Sequence, residues 1–156
     1  MSTTPARQVF DPDSQRWYSL GDFKQLEIAM LGVDRRNTIV DFMVRFEANG
    51  KVFNHRHLAE TRLFVVQGEH HIYELDGTLM EIRKTGSYTV SAPGGVHTEG
   101  AGDVDCIVTY NIRGNGSDDM FDVLDDTGQI VGKIGFEDFA ALYADQQAEQ
   151  TRAGPA

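Results

Sequence analysis

Cysteine is nearly absent. Cys106 is the only one in 156 residues, which excludes an internal disulfide and a cysteine-rich zinc site. It stands in the strand-like run Asp105-Cys106-Ile107-Val108, where a free thiol packs as a small hydrophobe rather than serving as a nucleophile. Long apolar stretches are missing as well. The longest are pieces such as Ile28-Ala29-Met30-Leu31 and Leu63-Phe64-Val65-Val66, far short of the roughly 18 apolar residues of a membrane-crossing helix. Basic residues are scarce, 14 against 24 acidic ones for a formal charge of -10. Such a chain repels polyanions, so neither nucleic acid nor a membrane is an expected partner. Much of the surplus lies between Glu99 and Asp126, where Arg113 alone opposes eight carboxylates, and it reads as a solvated acidic rim. The opening Met1-Ser2-Thr3-Thr4-Pro5-Ala6-Arg7 also lacks the basic-then-apolar layout of a secretory leader. The expectation is a soluble, cytoplasmic protein.

What is present fits one globular domain over residues 1–156, since 40% hydrophobic and 24% charged residues leave enough apolar material for a core. The 16 glycines punctuate short β-branched and aromatic runs, as an all-β sandwich or barrel requires. Strands are expected at Gln25–Leu31, Thr38–Phe46, Leu63–Gln67, His70–Leu75, Thr78–Ile82, Ser87–Val90, Val104–Ile112 and Ile130–Ile134. Within the second, Val40, Phe42, Val44 and Phe46 share one face at period two. Asp76-Gly77 signals a hairpin, and Asp126-Thr127-Gly128 turns between two further apolar runs. Only the end reads helical: Phe136, Phe139, Leu142 and Tyr143 recur at helical spacing within a helix over about 136–148. The β core then spans about 24–135, and the tail from Glu149 to Ala156, without periodicity, is expected to fray.

Three of the five histidines form a pattern. His55-Arg56-His57 sets two imidazoles at i and i+2, on one face of a strand, where both converge on one ion without backbone distortion. Gly50 permits a sharp turn before them. His97 follows the rigid Ala92-Pro93-Gly94-Gly95-Val96 turn and begins a neighbouring strand. A lone His-x-His recurs by chance on protein surfaces. Its context here, a glycine before it, a strand ending in Gly68 and a Pro-Gly-Gly-x-His downstream, raises its weight. His70 and His71, adjacent on a strand, point to opposite faces and read as packed or exposed histidines.

At these residues the chain resembles the cupin superfamily of RmlC-like β-barrels. Gly50, His55, His57 and Gly68 match its first motif; Gly86, Pro93, Gly95 and His97 match its second, with one residue fewer than usual between glycine and histidine. The resemblance implies a double-stranded β-helix, or jelly-roll, of two packed sheets followed by the C-terminal helix. It also implies a metal held near one end by His55, His57 and His97. The carboxylate ligand of the first motif is missing: Thr61 occupies its place, and Glu60, one residue early, points to the other face of a regular strand. A bulge after His57 is the one route by which Glu60 could join the site. Glu99, two residues past His97, shares its face and reads as a hydrogen-bond partner. Arg62 and Tyr73 flank the motif as substrate-orienting candidates, with surface or packing roles the simpler reading.

A three-histidine site is similar to those of the acetylacetone-type diketone-cleaving dioxygenases and the dihydroxyacetophenone dioxygenases, and Phe121 to Phe136 resembles the ending of the former. This implies a non-haem iron(II) enzyme that uses dioxygen to cleave a carbon–carbon bond beside a carbonyl, in a small diketone or hydroxyaryl ketone. Three neutral imidazoles leave a divalent ion its full charge and open positions for a chelating anion and oxygen. Iron(II) is therefore the expected metal, with zinc, nickel and manganese as alternatives, and no individual catalytic residue is assigned. The alternative function is a non-catalytic metal- or ligand-binding cupin, a sensor or regulatory module. Cupins commonly pair through sheet edges. A homodimer or higher homo-oligomer is expected, with Gln8-Val9-Phe10 and Trp17-Tyr18 as contact material or as a cover for the barrel's edge.

Overall fold

A computed structural model describes residues 9–154; Gln8 and the last two residues of the tail lie outside the described residues. Among the described residues twelve strands precede one helix: β1 (Tyr18–Leu20), β2 (Phe23–Asp34), β3 (Ile39–Phe46), β4 (Asn54–His57), β5 (Glu60–Gln67), β6 (Glu69–Tyr73), β7 (Leu79–Lys84), β8 (Tyr88–Ser91), β9 (Val96–Ala101), β10 (Cys106–Arg113), β11 (Asp119–Leu124), β12 (Ile130–Gly135) and α1 (Phe136–Ala153). They form two six-stranded antiparallel sheets, ordered β1-β2-β3-β10-β5-β8 and β12-β11-β4-β9-β6-β7. This is the expected jelly-roll.

The core follows from period-two patterning in register. Val40, Phe42, Val44 and Phe46 of β3 lie opposite Ile112, Tyr110, Val108 and Cys106 of β10, and all eight are buried. Cross-strand pairs of this kind are what stabilise a sheet. Cys106 is fully enclosed, and burial pushes its thiol up to about 12, so it is an inert small hydrophobe.

Three glycines near the site have a steric duty. A Cβ on Gly100 would collide with the Gly50 carbonyl oxygen, where residues 50–51 cross β9. Gly68 has φ +74 and lies against the Asp105 carbonyl, so it needs both glycine's backbone freedom and its lack of a side chain. Gly50 is required for close approach rather than for a turn of its own. The left-handed residue there is Asn49, with φ 59, and a Cβ on Gly50 would sit 2.8 Å from the Glu47 carbonyl oxygen.

The helix differs from its expected length. α1 continues through Ala153, so Glu149–Ala153 are helical rather than frayed. Thr151 Oγ1 donates to the Gln147 carbonyl, and Arg16 donates to the carbonyl of Gly154 just beyond. Gln146, buried and polar, accepts a hydrogen bond from the Met30 amide at an irregularity of β2, which ties the helix to the sheet. The Trp17-Tyr18 segment leads into β1, paired to β2, and Arg45 stacks 5.1 Å over the Trp17 ring. β1 is the edge strand of its sheet.

Candidate metal centre

β4 carries His55 and His57 into the barrel, and the turn after Pro93 is built around them. The Gly94 amide donates to the His57 carbonyl at 2.7 Å, and the His57 amide donates to the Gly95 carbonyl at 3.0 Å. This pins the start of β9 beside β4, with His97 the direct antiparallel partner of His55. The three rings lie 4.8–5.0 Å apart between centroids. Phe121 of β11, partner of His57, stands edge-on to both β4 histidines. The two glycine-rich motifs thus bring all three expected residues to one point.

A fourth donor joins them. Glu99, 3% exposed, is two residues past His97 on the same face of β9. Its Oε1 lies 2.8 Å from His97 Nε2 and 3.7 Å from Nε2 of both His55 and His57. One donor atom from each of His55, His57, His97 and Glu99 falls within 4.8 Å of every other. The i, i+2 relation to His97 was visible in the sequence as a shared face, but membership of the donor set was not.

The hydrogen bonds around the imidazoles decide which nitrogens face inward. His55 Nδ1 can only donate to the Phe53 carbonyl, at 3.0 Å. Thr61 Oγ1 is engaged as a donor to the Ala59 carbonyl, so it accepts from His57 Nδ1 at 2.9 Å. Both rings are thereby fixed with Nδ1–H outward and the Nε2 lone pair facing the cluster. His57 Nε2 and His97 Nε2 approach to 3.1 Å, with a carboxylate oxygen beside them. Converging lone pairs and a buried carboxylate form an electron-rich pocket that a cation satisfies, and a divalent ion bound at about 2.0–2.1 Å would place its donors about 3.0–3.4 Å apart. The residues present fit a metal.

Charge states agree. Burial is the largest influence on His57 and lowers it from its ordinary value against the pull of Glu99, which keeps the ring neutral as a ligand must be. For Glu99, burial pushes upward, but the contacts from His55, His57, His70 and His97 outweigh it and hold the carboxyl well below its usual range. Tyr110, raised well above its ordinary value by burial and then by Glu99, stays protonated and donates to Glu99 Oε2 at 2.5 Å. His70 is the inward member of the His70-His71 pair. It is wholly buried, with Nε2 3.4 Å from Glu99 Oε2 at an angle that makes no hydrogen bond.

Thr61 and Glu60 part company as the strand period requires. Thr61 is fully buried behind His57, whereas Glu60 points outward into an ion pair with Arg62 at 2.9 Å. Arg62 therefore faces away from the cluster, and Tyr73 meets His71 Nδ1 at 3.2 Å. Neither orients anything at the site. Glu60→Ala will leave metal affinity unchanged, while Thr61→Val, which deprives His57 of its tautomer-fixing partner, will weaken it about 10–100-fold. Competition against a chromophoric chelator measures both.

An apolar pocket of about 100 Å³ opens on two of the donors, His55 and Glu99. Leu26, Ile28, Phe42, Val44 and Phe46 line it from β2 and β3, His55, Glu99 and Tyr110 form its polar end, and Phe139 and Leu142 of α1 close it. A larger hollow of about 760 Å³ around Gly21–Glu27 and Arg45 contains none of the donors.

The ChrR cupin-like domain family matches residues 5–114. No curated protein matches the chain by sequence. Among solved structures, an RmlC-like cupin protein from Ralstonia eutropha JMP134 superposes with a TM-score of 0.73 at 14% identity, covering 92% of this chain and 88% of its own. An acetylacetone dioxygenase from Acinetobacter johnsonii gives 0.70 at 12% identity, covering 92% and 95%. Rhodobacter sphaeroides SigE in complex with the anti-sigma ChrR gives 0.54 at 18%, covering 65% and 51%. At these identities the likeness is one of fold.

Proposed function

The chain belongs to the ChrR cupin-like domain family, and from that premise we propose that it is a metal-dependent dioxygenase cleaving a carbon–carbon bond next to a carbonyl in a small, chelating ketone. The observation that carries this reading is the apolar cavity abutting two of the four candidate donors, His55 and Glu99, because a site meant only to hold an ion has no need of space beside it. On this reading His55, His57, His97 and Glu99 hold the metal. Such an ion, iron(II) in preference to zinc, nickel or manganese, supplies Lewis acidity and the electrons that dioxygen chemistry needs.

The chain's own residues do the rest. Thr61 and the Phe53 carbonyl keep the β4 imidazoles in the donor tautomer. Glu99, the one carboxylate of the donor set, reduces the charge of a divalent site to +1, so one monoanion, such as an enolate, completes neutrality in a medium where residual charge is costly. Glu99, kept ionised and anchored through Oε2 by Tyr110, turns Oε1 to the three imidazoles as the charged donor of the set. Phe42, Phe121 and Phe139 exclude water from the ligand's apolar part.

A second reading has its own support. Four protein donors make a more closed set than three, as in structural or sensing sites, and the family's namesake cupin occurs in an anti-sigma protein. In that case the protein binds metal and ligand without turnover. Oxygen-electrode recordings on iron-loaded protein with a panel of aliphatic and aryl ketones separate the two. Substrate-dependent oxygen uptake is expected, and its absence across the panel, with metal bound, would leave the sensor.

A further inference from the structure

Four imidazoles, not three, surround Glu99. His55, His57 and His97 lie nearest Oε1, whereas His70 lies nearest Oε2, with its Nε2 3.4 Å away. His70 enters from β6, where it pairs with Ala101 of β9 on one side and Arg83 of β7 on the other. It is wholly buried and stacks on Phe46 at 5.7 Å and 23°. Neither of its ring nitrogens has a hydrogen-bond partner among the described residues. Leaving buried polar atoms unpaired is costly, and a phenylalanine would serve packing alone without that cost.

The oxygen that His70 faces decides what it is for. Tyr110 donates to Glu99 Oε2 at 2.5 Å, and a carboxylate oxygen has a second lone pair to offer. An Nε2 lone pair turned toward that oxygen would repel it, whereas an Nε2–H bonds to it. The tautomer so selected is the reverse of that at His55 and His57, where Nδ1 carries the proton. It leaves the His70 lone pair at Nδ1, while Arg83, opposite on β7, has a buried Nε–H with no acceptor among the described residues. The 3.4 Å separation is close to hydrogen-bond range, and alignment alone is missing. A small turn of the ring supplies it.

We infer that His70 is a positioning residue: its Nε2–H and the Tyr110 hydroxyl together hold Oε2 of Glu99, so that Oε1 alone is offered to the metal. A carboxylate binds a cation through one oxygen or through both. With one oxygen engaged, the four donors fill four positions, and an ion that accepts six keeps two for another ligand. Released, Oε2 closes one of them. His70 thus governs how open the centre is without being a ligand. The inference rests on Glu99 being a ligand, and not on the reaction proposed above.

The test uses the full chain loaded with cobalt(II), whose visible spectrum reports coordination, and azide as an anionic probe of the open positions. Wild type is expected to bind azide saturably. His70→Phe keeps a ring to stack on Phe46 but has no donor. Its cobalt spectrum should differ from wild type before azide is added, and its azide affinity should fall about tenfold or more, the loss of one hydrogen bond to a charged group. His70→Gln returns an N–H near the same place and should recover the wild-type spectrum and most of the affinity. No azide binding by wild type, a wild-type spectrum and affinity in His70→Phe, or a glutamine variant that behaves like the phenylalanine one overturns the inference. If His70→Phe does not fold, nitrogen-15 NMR of the zinc-loaded wild type decides, with the Nε2–H tautomer expected at His70 and the Nδ1–H tautomer overturning it. Metal affinity of Glu99→Gln, measured alongside, keeps two failures apart. An unchanged value removes the carboxylate from the donor set and the premise with it, whereas a large loss beside an inert His70→Phe removes His70 alone.

Discussion

Alanine at position 57 will strip the protein of stoichiometric metal and leave the barrel folded. His57 is 1% exposed, its Nε2 lies 3.1 Å from that of His97, and its lone pair is aimed inward by Thr61. If metal binding in a four-donor site is worth about 10–16 kcal/mol, each donor carries roughly 3–4 kcal/mol, or two to three orders of magnitude in Kd. The fold rests elsewhere, on the β3–β10 pairs and the apolar cluster around them. Metal analysis should find the variant empty, and its far-UV dichroism should match wild type, with melting shifted by no more than a few degrees for each kcal/mol of change. His55→Ala and His97→Ala should behave likewise. A variant that purified with full metal occupancy would remove its histidine from the site.

How far the sequence revealed this structure depends on how each element is stabilised. β3 was legible because its inward residues are apolar and strictly alternate, so period and burial coincide. β1 is three residues long and has no pattern to detect. β11 shows in the sequence only as an apolar run before the Asp126-Thr127-Gly128 turn, because Asp119 and Asp122 interrupt it; Asp122 is nonetheless buried, with Arg56 of the adjoining strand 3.6 Å away. α1 outran its pattern because residues after Ala148 present no apolar face, and a buried glutamine, not a leucine, holds that half to β2.

The site shows the same division. His55, His57 and His97 were identifiable because glycine and proline spacing fixes the strand crossings that bring them together. Glu99 shared a face with His97 on paper, but whether a carboxylate can be buried depends on Tyr110 and His70, which come from other strands. The strand rule said that one of His70 and His71 faces inward without saying which. Thr61, where the first motif would carry a carboxylate, lies behind His57 and meets its Nδ1. A carboxylate stands beside the imidazoles from the opposite motif instead, and only the β4–β9 register reveals that placement.

Glu99→Gln tests that substitution of one carboxylate for another, and its effect should match that of losing a histidine. The amide keeps the shape and can still accept from Tyr110, so folding should be preserved, while the charged oxygen at the centre of the donors is lost. Metal affinity should fall by about two orders of magnitude or more; a drop confined to about tenfold would mark Glu99 as a partner of His97 rather than a ligand. Acid titration of the metal-free protein gives an independent reading. His57 has a folded value below its ordinary one, so the unfolded chain takes up that proton first, near pH 6.5. Stability is therefore full above that pH and falls as pH drops from there toward the folded value. Glu99, also depressed, contributes stability above its ordinary value of about 4.3, which is lost as pH falls through its folded value. Wild type should thus destabilise in two acid stages, and bound metal should be released during the first, when imidazoles protonate. In Glu99→Gln the second stage should be reduced to what Asp34, Asp76, Glu81 and Asp125 supply, all of them at or near the surface and screened by solvent. Unaltered metal affinity together with an unaltered second stage would return the site to three histidines and restore the full +2 charge for a substrate to neutralise.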